Sequence, residues 1–199
     1  MSAMQTKGPV RDEDRQTLLQ IARACVRAEV DGMAGPPLPA AAGVLGEQRG
    51  CFVTLTNRGR LRGCIGTFHP SKPLLRQVAE MASAAARDPR FVRNPITARE
   101  VGELTVQVSV LSELELTDDP LKLELGVHGI YIVRGYSAGC FLPEVATETG
   151  WSREEFLSQC CAGKAGMVPD AWRQPGTKVY LFSSEKFAEQ PDGTITEGE

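Results

Sequence analysis

The apolar residues of this 199-residue chain follow a helical period in some segments and an alternating period in others. Residues 12–30 repeat leucine, alanine, cysteine and valine at helical spacing, which predicts a first helix. Residues 51–56 and 61–65 predict two strands joined by a tight turn, and residues 104–110 alternate as a half-buried strand does. Helical and strand-like segments do not alternate strictly, so an α+β fold is favoured over a doubly wound parallel sheet.

The remaining elements follow from cap and turn signals. The second helix is predicted to start with Ser71 as its N-cap and Pro73 in its first turn, and to run to Arg87. Ser152 and Glu155 have the spacing of a capping box. Further predictions are strands over 129–134, 139–142 and 177–183, the last strand, a short helix over 143–149, and a frayed tail after residue 187.

Composition excludes several classes of protein. A hydrophobic content of 42% and a charged content of 24% are ordinary for a globular protein. The sequence has no window of about 18 apolar residues, which a membrane span requires. The first ten residues are polar and lack the apolar stretch of a signal peptide, so we expect a cytoplasmic protein.

The cysteines and histidines do not have the spacing of a metal site. The chain has six cysteines and two histidines, and no C-x-x-C pair. We therefore expect no metal and no cofactor, and thiols that are mostly reduced and buried. The cysteines are Cys25, Cys51, Cys64, Cys140, Cys160 and Cys161.

Charge is distributed unevenly along the chain. Residues 58–99 contain nine basic and two acidic side chains, whereas residues 100–155 contain eleven acidic and three basic ones. One interpretation is two solvated faces, and the other is a basic wall that attracts an anionic ligand. RNA binding is a weaker hypothesis, because the chain lacks an aromatic strip on which bases would stack.

The segment Arg62-Gly-Cys-Ile-Gly66 is the strongest candidate for chemistry. Gly63 and Gly66 would let the backbone approach a ligand and offer N–H groups to an anion. Cations beside Cys64 favour the thiolate, and strand alternation places Arg60, Arg62 and Cys64 on one face if no bulge intervenes. The alternative is that Cys64 is a small core residue and that the glycines serve a bend.

Three further residues are candidates from their local context. His128, between Gly126-Val and Gly129, is either a base for Cys64 or a hydrogen-bonded structural residue. Glu144 and Lys164 are either ligand contacts or members of surface ion pairs. The sequence contains no P-loop, no G-x-G-x-x-G fingerprint and no G-x-S-x-G elbow, which argues against the enzyme classes that use them.

A set of short motifs matches one family in order along the chain. The chain resembles the AMMECR domain family, whose prokaryotic members are called AmmeMemoRadiSam system protein A. The resemblance covers residues 12–188, which leaves 1–11 and 189–199 as expected flexible termini. The motifs are Phe52-Val-Thr-Leu55, Leu61-Arg-Gly-Cys-Ile-Gly66, Asp88-Pro-Arg-Phe91, Val108-Ser-Val-Leu111, Val127-His-Gly-Ile130, Leu142-Pro-Glu-Val-Ala146, Lys164-Ala-Gly166 and Trp172.

The resemblance implies more about fold than about function. It implies a barrel-like mixed sheet with flanking helices, and two related β-β-β-α-α halves in a larger and a smaller lobe. It implies a Memo-like protein and a radical S-adenosylmethionine protein as partners. By position it implicates Arg62, Cys64, His128 and Lys164 in a cleft, where Glu144 stands in place of the glutamine that many relatives would have.

Two functional hypotheses remain at this point. In the first, the chain is an enzyme or enzyme subunit that modifies a small anionic or nucleotide-like molecule, with Cys64 and His128 catalytic. Arg62, Gly63, Gly66, Glu144 and Lys164 would then bind the ligand. In the second, the same cleft belongs to a non-catalytic binding or adaptor module for a small ligand, a protein or RNA.

Overall fold

The computed structural model describes residues 8–197, which divide into two compact units. The smaller unit is Leu111–Ser184, and the larger one contains the described residues up to Val110 and from Glu185 onward. Helices and antiparallel strands are mixed in the chain, so the predicted α+β class is confirmed. That the units are two related halves stays a prediction.

The described residues form five α-helices and nine β-strands. The helices are α1 (Asp12–Val30), α2 (Leu74–Ala86), α3 (Ala98–Val101), α4 (Pro143–Thr149) and α5 (Arg153–Gly163). The strands are β1 (Cys51–Asn57), β2 (Arg60–Thr67), β3 (Leu104–Leu111), β4 (Glu115–Thr117), β5 (Gly129–Arg134), β6 (Ser137–Phe141), β7 (Lys178–Phe182), β8 (Ser184–Glu189) and β9 (Ile195–Glu197).

The first sheet has the strand order β2-β1-β3-β8-β9; α2 packs on β1 and β2, and α1 packs against α2. Alternate residues of β1, such as Val53 and Leu55, are fully buried because one face of the strand meets the helices. Leu18 and Leu19 of α1 and Val78 of α2 join the same core. Each such side chain contributes about 1.5–3 kcal/mol through burial, which is how the helical and strand periods of the sequence determine this layer.

The second sheet has the order β4-β7-β5-β6 and packs with α4 and α5. Phe156 and Leu157 of α5 are fully buried, next to Ile130 and Ile132 of β5. Ser152 and Glu155 form the predicted capping box: the Ser152 hydroxyl accepts from the Glu155 N–H, and the Glu155 carboxylate accepts from the Ser152 N–H.

Three expectations need correction. The N-cap of α2 is Pro73, with no side-chain hydrogen bond, so Ser71 does not cap the helix. Residues 177–183 are not the last strand of the chain, because β8 and β9 follow and pair with each other. The two sheets also replace the expected barrel-like sheet: β2 and β9 are the two ends of the first sheet, and within residues 8–197 no barrel closes.

Gly63 and Gly66 lie at close approaches that a side chain would obstruct. A Cβ on Gly63 would lie 2.1 Å from the carbonyl oxygen of Ala85, near the end of α2. A Cβ on Gly66 would lie 2.3 Å from the ring of Phe52 and 2.4 Å from the carbonyl oxygen of Cys51. The first clash is with helix backbone, so the glycine allows α2 to pack directly onto β2.

We expect Gly63→Ala to destabilise the protein by about 1–3 kcal/mol, because helix and strand must move apart to admit the methyl group. The matched control is Gly102→Ala, since a Cβ on Gly102 meets nothing within 4 Å. Urea unfolding of both variants measures the difference. A Gly63→Ala protein as stable as the Gly102→Ala protein would contradict this account of the packing.

Candidate functional site

Cys64 lies half-buried on β2, opposite Thr54 of β1. The Thr54 hydroxyl donates a hydrogen bond to Cys64 Sγ over 3.2 Å. Because β2 is an edge strand, the main-chain groups of Cys64 that face away from β1 need other partners. Its N–H donates to Asp88 Oδ2 over 3.0 Å, and its carbonyl oxygen accepts from Arg90 Nη2 over 3.1 Å. The thiol is therefore attached to a strand whose edge is closed by side chains.

Asp88 is a buried carboxylate with a full set of donors. It caps the short turn Pro89–Phe91 by accepting from the Arg90 N–H, and it also accepts from the Arg90 side chain. These hydrogen bonds, first those from the Arg90 guanidinium and then those from the backbone N–H groups of Cys64 and Arg90, lower the pKa of Asp88 from 3.8 to about 2. The carboxylate is thus ionised at neutral pH and links the turn to the strand.

Arg62 is the extra residue of a β-bulge. Leu55 pairs with Gly63 and Thr56 pairs with Leu61, so Arg62 has no residue opposite it on β1. The expected common face for Arg60, Arg62 and Cys64 is therefore interrupted. That expectation required a strand without a bulge, and the bulge at Arg62 changes the direction of the side chains on either side of it.

The Arg62 side chain is buried and forms a two-pronged ion pair with Glu100. Its Nε lies 2.5 Å from Glu100 Oε1, and its Nη2 lies 3.1 Å from Oε2. Nη2 also donates to the carbonyl oxygens of Asn94 and Pro95. The hydrogen bonds from Arg62 lower the pKa of Glu100. Arg62 thus donates hydrogen bonds to two loop carbonyl groups and to one carboxylate within the protein.

A groove of about 650 Å³ opens beside the turn between β1 and β2. Arg58, Arg60 and Arg62 line it together with Asn57 and Phe91, and Cys64 is not among its lining residues. Its acidic lining residues are Glu100, paired with Arg62, and Glu103, which lies 3.4 Å from Arg58. The Arg60 side chain makes no hydrogen bond or ion pair with any other residue that the structure describes.

His128, Glu144 and Lys164 belong to the smaller unit. The Nδ1 atom of His128 accepts the Glu124 N–H over 3.0 Å, so the neutral ring carries its proton on Nε2 and offers a donor. Lys164 follows α5, and its Nζ lies 5.8 Å from the centroid of the Phe141 ring. Glu144 is half-buried in the first turn of α4.

The predicted site residues thus fall into two groups. Arg62, Gly63, Cys64 and Gly66 lie on β2 in the larger unit, and the other three belong to the smaller unit. Their catalytic and ligand-binding roles stay predictions. Within residues 8–197, no group of three His, Cys, Asp or Glu side chains is arranged to hold a metal ion. No helix among these residues combines the length and apolar character that a membrane crossing requires.

Sequence reasoning missed the residues that surround Cys64. The motifs contain Asp88 and Thr54, but no local pattern predicts that either residue contacts Cys64. The available signal was Asp-Pro-Arg at residues 88–90, since Asp before Pro caps a turn and an arginine two residues later can reach back to it.

The sequence model of the AMMECR1 family matches residues 19–187. The chain belongs to the AMMECR1 family. The resemblance carried by its motifs is thereby confirmed.

Archaeal members of the AMMECR1 family are similar to this chain over nearly their whole length. A protein of Methanothermobacter thermautotrophicus is 43% identical and covers 90% of this chain and 95% of its own length. A protein of Thermococcus kodakarensis is 40% identical and covers 94% of this chain and 96% of its own length. The crystal structure of an uncharacterised protein from Pyrococcus horikoshii superposes with a TM-score of 0.85 at 37% identity, covering 95% of this chain and 98% of that one.

We expect Asp88→Asn to lower the free energy of unfolding by about 2 kcal/mol at pH 7. The folded-state pKa of about 2 lies below the ordinary value of 3.8, so the stabilisation is complete above about pH 4. The stabilisation declines progressively below about pH 4, the ordinary pKa, and is lost as the pH falls through the folded-state pKa of about 2. Urea unfolding of both proteins between pH 7 and pH 3 should show the gap narrowing as the medium becomes acidic.

The matched control for this prediction is Asp119→Asn. Asp119 caps the turn Pro120–Lys122 in the same way, but it is exposed. Its substitution should cost less than Asp88→Asn. A gap between the wild type and Asp88→Asn that stays constant from pH 7 to pH 3 would show that the Asp88 charge does not stabilise the fold.

Proposed function

We propose that this AMMECR1 family protein is a subunit of a modification pathway in which Cys64 acts as a nucleophile toward a small anionic or nucleotide-like substrate. The thiol proton would go to solvent, and the sulfur would displace a leaving group from an electrophilic atom of the substrate; the leaving group would depart with the electron pair of the broken bond and take up a proton from solvent. The observation that carries the proposal is the hydrogen bond from the Thr54 hydroxyl to Cys64 Sγ. A donor aimed at sulfur stabilises negative charge there.

The surroundings of Cys64 support the same proposal. The Arg90 guanidinium, whose pKa is raised first by its hydrogen bond to Asp88, donates to the Cys64 carbonyl group while it is paired with that carboxylate, so it positions the backbone of Cys64 and adds no net charge there. Both main-chain groups of Cys64 that face away from β1 are fixed by hydrogen bonds, so the Cα–Cβ bond has a defined direction. A fixed direction is what a nucleophile needs for an oriented attack.

The other cysteines provide a contrast within the same chain. Cys25, Cys51, Cys160 and Cys161 are buried. Burial raises the pKa of all four thiols, and that of Cys51 reaches about 12. Such thiols are poor nucleophiles near neutral pH. Cys140 is half-buried like Cys64 and is therefore the comparison of interest.

We expect iodoacetamide to alkylate Cys64 of the native protein faster at pH 7 than any other cysteine, Cys140 included. Mass spectrometry of the labelled peptides over a time course measures all six rates at once. If Cys64 reacts no faster than Cys140, or reacts only after unfolding, the assignment of Cys64 as a nucleophile is wrong. The Arg-Gly-Cys-Ile-Gly segment then has a structural role only.

The role of the hydroxyl is tested by Thr54→Val. This change removes the donor to sulfur and keeps the shape of the side chain, so labelling of Cys64 should slow by about threefold to tenfold at pH 7. Thr56→Val is the matched control, because Thr56 is half-buried on the same strand and has no hydrogen bond to its side chain among residues 8–197. Equal slowing in both variants would exclude a specific effect of Thr54.

A second candidate function is a binding or adaptor module that performs no chemistry. The observation that favours it is the arginine-lined groove, which does not include Cys64. The partners of either function would be a Memo-like protein and a radical S-adenosylmethionine protein, as the family resemblance implies. RNA remains a further candidate partner for the adaptor.

We expect purified Memo-like and radical S-adenosylmethionine proteins to be retained by the immobilised chain. Activity of the reconstituted three-protein mixture should be lost with Cys64→Ser if the thiol is the nucleophile. Retained partners with unchanged activity in Cys64→Ser would instead support the adaptor. Absence of retention, together with a flat titration against RNA, would exclude the adaptor for these partners.

A further inference from the structure

We propose that the groove beside the β1–β2 turn is a binding site for a small phosphate-bearing molecule, with Arg60 and Arg58 as its contacts. The proposal deepens the binding-module function. It does not depend on any reaction of Cys64, since that residue does not line the groove. A volume of about 650 Å³ lies within the range of small-molecule sites.

The backbone at the tip of the turn is the first argument. Asn57 pairs with Arg60, so Arg58 and Gly59 are the two central residues of the turn. Both have positive φ, +50° and +76°, which is the arrangement of a type I′ turn. Gly is favoured at its first central position because it has no Cβ, and Asn and Asp are tolerated because their short polar side chains hydrogen-bond locally, whereas a long side chain such as that of arginine is strained there.

Arg58 is the one non-glycine residue with positive φ among residues 8–197. Its only ion pair there is the contact with Glu103 at 3.4 Å, and the two side chains are 85% and 45% exposed. Exposed pairs of this kind add little stability, so the pair does not offset the strain. A strained position occupied by an arginine beside a groove is more simply explained by contact with a ligand.

The balance of charge in the groove is the second argument. Arg62 and Glu100 neutralise each other, and Arg58 and Glu103 do so more weakly. Arg60 is left as an exposed cation with no described partner. An anion can therefore pair with Arg60 directly and attract Arg58 away from Glu103. The planar guanidinium fork matches phosphate oxygens, which favours a phosphate group as the anion.

The groove wall is also suited to a polar occupant. The Asn57 amide donates to Glu100, which leaves its carbonyl oxygen Oδ1 as a buried acceptor with no described donor. Such an atom needs a donor, which a water or a hydroxyl group of the phosphate-bearing molecule supplies and an ionised phosphate oxygen does not. The ring of Phe91 is already contacted by the guanidinium groups of Arg62 and Arg90, so recognition of a stacked base is not its role. The ligand is held by its charge.

The test is a calorimetric titration of the full chain with inorganic pyrophosphate, with citrate as the carboxylate comparison. Wild type should bind pyrophosphate more tightly than citrate, and the affinity should fall with rising salt. Arg60→Gln should weaken pyrophosphate binding about tenfold with an unchanged melting temperature. Arg76→Gln is the matched control, an exposed arginine on α2 that is not in the groove lining and has no described partner.

Arg58→Asn provides a signature that a merely structural role would not give. Asn tolerates positive φ, so the variant should melt about 2–4 °C higher while binding pyrophosphate more weakly. Equal affinity in wild type, Arg58→Asn and Arg60→Gln would overturn the proposal. No binding by wild type would overturn it as well, and equal binding of citrate would overturn the assignment to phosphate. None of these results affects the labelling rate of Cys64, so the two proposals fail separately.

Discussion

The buried carboxylate of Asp88 fixes the arrangement around Cys64. A buried charge is costly unless donors surround it, and here the donors come from two places, the β2 strand and the turn after α2. The strand and the turn therefore hold their positions together, because separating them would leave the carboxylate without partners. The same contact satisfies the N–H of Cys64 on the outer side of an edge strand, and Arg90 satisfies its carbonyl oxygen. The edge is closed at the point where another strand could otherwise pair with it.

This arrangement explains why glycine and arginine surround the thiol. Gly63 admits the backbone of α2, which brings Asp88, two residues after the helix, within reach of the strand. The bulge then releases Arg62 from the regular alternation, and its side chain pairs with Glu100 inside the larger unit. Of the hairpin arginines, Arg62 is thus structural in the described contacts, whereas Arg60 keeps its charge exposed. Arg60 and Arg62 are separated by a single residue but have different surroundings, because Arg62 is the extra residue of the bulge.

Local sequence signals predicted the elements whose apolar pattern is regular. The bounds of α1, β5 and α4 agree with the predicted ones, because helical period, alternation and turn residues coincide there. β8 was missed because it buries only Phe187 and Ala188 and so lacks an alternating apolar pattern. The bulge at Arg62 and the bond between Asp88 and Cys64 depend on partners 38 and 24 residues away, which local patterns do not encode. Sequence motifs identified the Cys64 segment, but not the groups that hold it.

The hydrogen bond made by the N–H group of Cys64 shows why anion binding and thiol chemistry are assigned to different places in the larger unit. A glycine-flanked backbone offers N–H groups to an anion, and at Cys64 that N–H already holds one, the carboxylate of Asp88. An external anion would have to displace a buried, ionised group that also accepts from Arg90, at a cost of several hydrogen bonds. An anion bound by the larger unit would therefore pair with exposed arginine side chains, as proposed for Arg58 and Arg60 at the hairpin turn. The proposed chemistry at the Cys64 segment then depends on the sulfur alone, which accepts a hydrogen bond from the Thr54 hydroxyl.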